Sequence, residues 1–212
     1  MNTDELIANL SAEAGKQRTP MGATWAAALV AAAAVAGAVF FATIGPRPDI
    51  TAAAETARFL MKFVVTIALA ASAFFVLDRL ARPGAMTRAN WLALLVAPIL
   101  LVLAIGVELL TQPAAQWSML AQGKNSLVCL TYIPAIGAGP LALLILALRR
   151  GAPTRPGLAG VVTGILAGGI AATFYAAHCT DDSPLFVATW YTVAIAMLAV
   201  AGGALGRLAA RW

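Results

Sequence analysis

Charged side chains are scarce in this sequence. Asp, Glu, Lys and Arg make up 11% of its 212 residues, against about 25% in an ordinary soluble domain. So few cannot cover a water-facing surface, which excludes a soluble globule. Histidine occurs once and cysteine twice, which leaves little for a metal centre or a histidine-dependent hydrolase. There is no Gly-x-Ser-x-Gly elbow, no His-Glu-x-x-His helix and no phosphate-binding glycine loop. Acids inside the apolar stretches are almost absent; Glu108 is the one candidate, near the end of its stretch, where it is expected to snorkel to the interface. Pumps and carriers need ionisable groups at mid-membrane, so the enzyme and transporter classes both lack their chemistry. The ten-residue alternation of a membrane barrel is missing too.

What the sequence has in abundance is apolar length. Hydrophobic residues make up 61% of it, and the mean hydropathy is +0.87. They fall into six blocks long enough to cross a bilayer: about Thr24 to Ile44, Phe59 to Leu77, Trp91 to Leu110, Val128 to Leu148, Leu158 to Ala177 and Leu185 to Leu205. Hydrocarbon offers the backbone no hydrogen-bond partners, so each block is expected to be a helix. The predicted fold is all-α, an integral membrane bundle of six transmembrane helices over residues 21–212, preceded by a short polar segment, residues 1–20. The first block is longer than the h-region of a signal peptide and lacks a clearly basic lead; it is expected to remain as a span.

Six spans put both termini on one side. With that side inside, Lys16, Arg18, Arg79, Arg82, Arg88, Arg149, Arg150, Arg155, Arg207 and Arg211 are cytoplasmic, and only Arg47, Arg58, Lys62 and Lys124 are outside. The positive-inside rule therefore places both termini in the cytoplasm, and five or seven spans would spoil the pattern. The net charge of +5 is spent on orientation, so no direct nucleic-acid contact is expected. The lipid bilayer is the first partner.

Cys129 opens the fourth span and Cys179 follows the fifth. The two spans form a hairpin about the tight turn Arg149–Pro156, and each cysteine lies 25 residues from Thr154 at its midpoint. Antiparallel helices rise equally per residue, so both thiols should reach the same height on the outer face. A structural disulfide, a switchable thiol pair and two unrelated small apolar residues all fit this placement. His178-Cys179-Thr180-Asp181-Asp182 sets a thiol, an imidazole and two carboxylates within five residues. Soft metals prefer thiolate and imidazole, so Cys129, His178, Cys179 and Asp181 are the candidate ligands for a transient heavy-metal ion; a helix end followed by a polar loop accounts for the same residues. No resident cofactor is expected.

Gly160, Gly164 and Gly168 recur at four-residue spacing in the fifth span, as do Gly202 and Gly206 in the sixth. Such spacing lets helices approach closely, within the bundle or between two copies. Pro134 and Pro140 should bend the fourth span just inside Cys129. In the N-terminal segment, Asp4 and Glu5 suit the first turn of a helix, and Leu6, Ile7 and Leu10 fall on one face. Membrane-surface helices are usually rich in Lys and Arg, whereas this one is acidic, so a soluble protein partner is expected for Asp4, Glu5, Leu6, Ile7 and Leu10.

Several segments together resemble the NrsF-type anti-sigma factors, six-span inner-membrane proteins of proteobacteria. They are Thr3-Asp4-Glu5-Leu6-Ile7, Gly45-Pro46-Arg47-Pro48-Asp49, Phe59 to Lys62, Arg82-Pro83-Gly84, Arg149 to Pro156, His178-Cys179 through Phe186, Trp190-Tyr191 and Arg211-Trp212. The segments from Arg149 and from His178 are the specific ones. The resemblance implies a non-enzymatic regulator that holds an extracytoplasmic-function sigma factor at the membrane, away from RNA polymerase, and releases it on stress at the outer face. It implies that Cys129 and Cys179 sense oxidants or heavy metals, and that the N-terminal segment binds the sigma factor. A small permease or ion-coupled carrier is the alternative from another class. A purely structural subunit with permanently bonded cysteines is a third.

Overall fold

The structure is a computed structural model that describes residues 2–5, 7, 20–82 and 84–209. Six helices are long and apolar enough to cross a membrane: α1 (Met21–Thr43), α2 (Ala57–Leu80), α3 (Arg88–Thr111), α4 (Ser126–Leu148), α5 (Pro156–Ala176) and α6 (Pro184–Ala209). Among the described residues there is no strand. The six spans read from hydropathy are all present, with ends shifted by a few residues where capping, not hydropathy, decides.

Local chemistry sets those ends. Thr56 caps α2 by accepting from the Phe59 N–H at 3.4 Å. Proline opens α5 and α6, where its missing N–H costs nothing, and Ser183 caps α6 by accepting from the Leu185 N–H at 3.2 Å. At the head of α3 the Asn90 carboxamide oxygen accepts from the Thr87 N–H and hydroxyl at 2.7 and 2.6 Å. The first eight residues of α3, Arg88–Leu95, wind as a 3-10 helix. Pro98 offers no N–H to the Leu94 carbonyl and crowds it, which accounts for the change of winding just ahead of it. Two short helices in the connections, Ile50–Ala53 and Trp117–Gln122, are too brief to show as periodicity. A π-turn, Val187–Tyr191, interrupts α6.

α5 is the centre of the bundle and the most buried span; it packs against α6, α2, α4 and α1. Its glycines explain how. A Cβ at Gly160 would run into the Gly202 carbonyl, one at Gly164 into the Leu198 carbonyl, and one at Gly206 into the Pro156 carbonyl. The four-residue glycine spacing is thus used inside the chain, to bring the α5 and α6 backbones together. α3 lies at the edge, packed on α2 and the start of α6, with Val96, Ile99, Val102, Leu103, Val107 and Leu110 exposed. An outward apolar surface of this kind suits hydrocarbon as solvent.

The bundle has two unlike ends. At one, the turn after α4 meets the end of α2, with the Ala152 N–H donating to the Ala81 carbonyl at 3.2 Å, and Gly157 lies under Arg207 near the end of α6. Trp25 of α1 stacks edge-on against Phe74 of α2 in the same half. The chain enters and leaves the bundle here, and this is called the terminal end. The opposite end gathers Gly45–Asp49, the start of α2, the start of α4 and residues 178–182; it is called the cysteine end.

Candidate functional site

Cys129 lies in the first turn of α4 and Cys179 three residues beyond α5. The equal-height argument places them at one end of the bundle, and there they are: both fully buried, in one core cluster. Both thiols are free. The Cys179 thiol donates to the Asp181 carbonyl at 3.7 Å. Burial pushes the Cys179 thiol above its ordinary value, with the nearby Lys62 ammonium pulling the other way. A buried, protonated thiol is a poor nucleophile, so in this state the site is closed to attack. Tyr175 and Tyr191 stack over it with ring centroids 5.7 Å apart. Their hydroxyls are buried and face the Cys179 thiol without reaching hydrogen-bond geometry to any described group.

The loop 178–182 is the hub of the cysteine end. The Cys179 carbonyl accepts from Lys62 Nζ at 2.8 Å and from Arg47 Nη1 at 3.4 Å. The Asp182 carboxylate pairs with the same two cations, at 2.6 Å to Lys62 and 2.9 Å to Arg47. Arg47 is held on its other edge by Asp49 at 2.7 Å, a bond that raises the Arg47 basicity further and keeps Asp49 below the usual carboxylate range. The Arg47 N–H donates to the Ala177 carbonyl at 3.0 Å, and His178 Nδ1 meets the Gly45 carbonyl at 2.9 Å. On the other side, the Asp181 carboxylate accepts from the Lys124 and Asn125 N–H groups at 3.0 and 2.8 Å, which ties the loop to the start of α4 just before Cys129. One loop thus pins the α1–α2 connection, α2 and α4.

The four candidate metal ligands are not brought together. His178 is turned to Gly45 and Asp181 is committed to backbone N–H groups. Among the described residues no three of His, Cys, Asp and Glu converge to hold an ion. At the N-terminus, Thr3–Glu5 and Ile7 are helical and exposed, with the Glu5 carboxylate accepting from the Asn2 N–H at 3.4 Å. Leu6 and Leu10 lie outside the described residues. Glu108 does not snorkel: its side chain is 2% exposed and turned inward, with Arg58 at 3.4 Å. An apolar helix end leaves a carboxylate no better partner than the cation of the next helix.

Arg47, Lys62 and Asp182, which hold this end together, were missed by charge counting, because it treated the two cations only as outer charges. A signal was present for Lys62, a cation one turn beyond Arg58 at the head of an apolar run, where an unpaired charge is costly. It is 2% exposed.

Residues 10–212 match a family model described as NrsF: negative regulator of sigma F. Over 100% of both chains, the sequence is 34% identical to the anti-sigma-F factor NrsF of Caulobacter vibrioides. It is also 34% identical, again over 100% of both, to the probable anti-sigma-F factor NrsF of Azospira oryzae. No solved structure matches.

Proposed function

The chain belongs to the NrsF family of negative regulators of sigma F, and from that premise we propose that it is an inner-membrane anti-sigma factor that sequesters a sigma factor of the extracytoplasmic-function class. The observation that carries this reading is the full-length likeness to proteins named for that activity. The terminal end faces the cytoplasm, as the Lys and Arg distribution requires. The acidic amphipathic segment, with Asp4, Glu5, Leu6, Ile7 and Leu10, is the main docking element for the sigma factor. The loops around Arg79–Arg88 and Arg149–Arg155 contribute to the docking surface. A carrier would need a polar path at mid-membrane; Lys62, Glu108 and Asp182 all sit at the cysteine end, which supports the regulatory reading over that one.

The cysteine end is then periplasmic, and Cys129 with Cys179 is the sensing pair. Two events can change it. A peroxide takes two electrons from the two thiols: one S–S bond forms, two protons leave, and the peroxide is reduced. Alternatively a soft divalent cation replaces the two thiol protons and is held by two thiolates. Either event replaces two small neutral groups in a packed core, which forces the 178–182 loop to shift. A disulfide change is typically worth about 2–4 kcal/mol, enough to supply the coupling of about 1–3 kcal/mol that regulation uses.

The test is a pull-down in mild detergent with tagged full-length protein beside a variant lacking residues 1–20. A sigma factor recovered with the first and lost with the second establishes partner and docking segment together. Equal recovery moves the docking surface to the arginine loops. No sigma factor with either refutes the reading. A Cys129→Ser, Cys179→Ser double variant that still releases its partner on oxidant and metal treatment removes the sensor assignment.

A further inference from the structure

Lys62 is a buried cation on an otherwise apolar stretch of α2, and its two strong bonds both go to one loop: the Cys179 carbonyl and the Asp182 carboxylate. α2 itself runs from that contact to the terminal end without a glycine or proline. It lacks the residues that most often kink a helix and extends about 27 Å from Lys62 to Leu80 at 1.5 Å per residue, unlike α4, which carries Pro134 and Pro140 and can bend. Midway, α2 crosses α5 at small residues: a Cβ on Gly169 would sit 3.0 Å from the Ala70 nitrogen. At the far end, Ala81 just beyond α2 accepts from the Ala152 N–H at 3.2 Å, and Gly151 lies so close that a Cβ there would be 2.9 Å from the Ala81 oxygen. Lys62 thus stands at one end of a stiff element and the α4–α5 turn at the other, with direct contacts at both.

We infer that Lys62 is the residue through which the state of the Cys179 loop is passed to α2 and so to the turn at Gly151–Ala152. The inference rests on the reading of the cysteine pair as the sensor for its purpose, but not for its geometry. When the 178–182 loop shifts, the Cys179 carbonyl and Asp182 carboxylate move together. Lys62, desolvated and with no other anionic partner among the described residues, follows them, because a buried ammonium left behind unpaired is costly. Arg47 follows too, but it sits in the α1–α2 connection and drags no helix. Displacement of α2 along its axis then strains or breaks the Ala152–Ala81 hydrogen bond, beside the arginines of the terminal end.

The experiment is amide hydrogen exchange read by mass spectrometry on the full chain in nanodiscs, comparing wild type, Lys62→Met and Lys62→Arg. Peroxide treatment of wild type should speed exchange at Gly151 and Ala152 by a factor in the range of about 5- to 150-fold typical of coupled sites, and Lys62→Met should lose that far-end rise. Lys62→Arg, which keeps the cation, should retain most of it. An equal far-end rise in Lys62→Met, or none in wild type, overturns the inference. Should Lys62→Met fail to fold, Asp182→Asn breaks the same link from the loop side and is judged by the same criterion. Sigma-factor capture is measured on the same samples. Far-end loosening in a protein that captures no sigma factor leaves the coupling standing and removes the sensing role. Stimulated release of a sigma factor without far-end loosening does the reverse.

Discussion

The loop that carries Cys179 is held by Asp182, and removing that carboxylate should open the cysteine site. Asp182 neutralises two cations at once, Lys62 at 2.6 Å and Arg47 at 2.9 Å. In Asp182→Asn, Arg47 keeps Asp49, but Lys62 keeps only the Cys179 carbonyl. Removing one partner of a buried pair costs about 3–5 kcal/mol. Asp182 is one-fifth exposed and the carboxamide oxygen still accepts one bond, so the low end, about 3 kcal/mol, applies. At 1.4 kcal/mol per factor of ten, the population with the loop open rises about 100-fold if the cost falls on the closed loop. Both thiols are fully buried, so alkylation proceeds through the open form and its rate tracks that population when closing is fast. N-ethylmaleimide labelling of the protein in mild detergent, followed by intact mass, gives the rate for zero, one and two adducts. The expected result is slow labelling of wild type and a rise of about two orders of magnitude in Asp182→Asn, Cys179 ahead of Cys129. Wild-type thiols that react as fast as a free peptide thiol would refute the burial. An unchanged rate in Asp182→Asn would refute the claim that this carboxylate keeps the site shut.

Two further outcomes test other parts of the structure. Gly160→Ala should lower the detergent melting temperature, because its Cβ meets the Gly202 carbonyl and overpacking costs about 1–3 kcal/mol; Gly106→Ala, with nothing within 4 Å, should be neutral or gain up to about 1 kcal/mol of helix propensity. Equal effects of the two would mean that the α5–α6 contact is not as tight as drawn. The Arg47–Asp49 pair makes the cysteine end acid-sensitive. Asp49 is held below its ordinary value by Arg47, so its contribution is complete above the unfolded value of about 3.9 and is lost as pH falls through the lower folded one. Thermal melts between pH 6 and 2.5 should therefore show a loss in this acid window that Asp49→Asn largely abolishes; identical acid profiles would count against the pair.

The six spans were legible because hydropathy is a property of each segment alone and the bilayer sets its length. The common height of Cys129 and Cys179 was legible because a tight turn makes two helices share an origin, leaving only a residue count to compare. Tertiary pairing was not legible. Arg47 and Lys62 were counted as two outer charges, which was sufficient for orientation and silent about burial. Their partner Asp182 sits in a loop more than a hundred residues away, and no local pattern joins them. Glu108 failed for a related reason: whether a carboxylate near a helix end snorkels or turns inward depends on the neighbouring helix, which here supplies Arg58. The glycine spacing announced close packing without saying between which helices, because Gly160 meets Gly202 only through the fold.

The position of the buried cations bears on the signalling proposed above. Three elements run from the cysteine end toward the terminal end: α4, then α5, which stops three residues short of Cys179 and carries five glycines, and α2. α4 carries Cys129 in its first turn but contains two prolines and two glycines from Pro134 to Pro140, so a displacement at its head is absorbed as bending. α2 contains neither residue and cannot absorb one so easily, yet it carries no cysteine. Lys62 resolves that mismatch by fastening the cysteine loop to the stiffer helix. The fastening is electrostatic and desolvated, so it does not weaken with salt as a surface pair would. A stress-dependent response that survives changes in external ionic strength, but fails when Lys62 is made neutral, is what this arrangement requires.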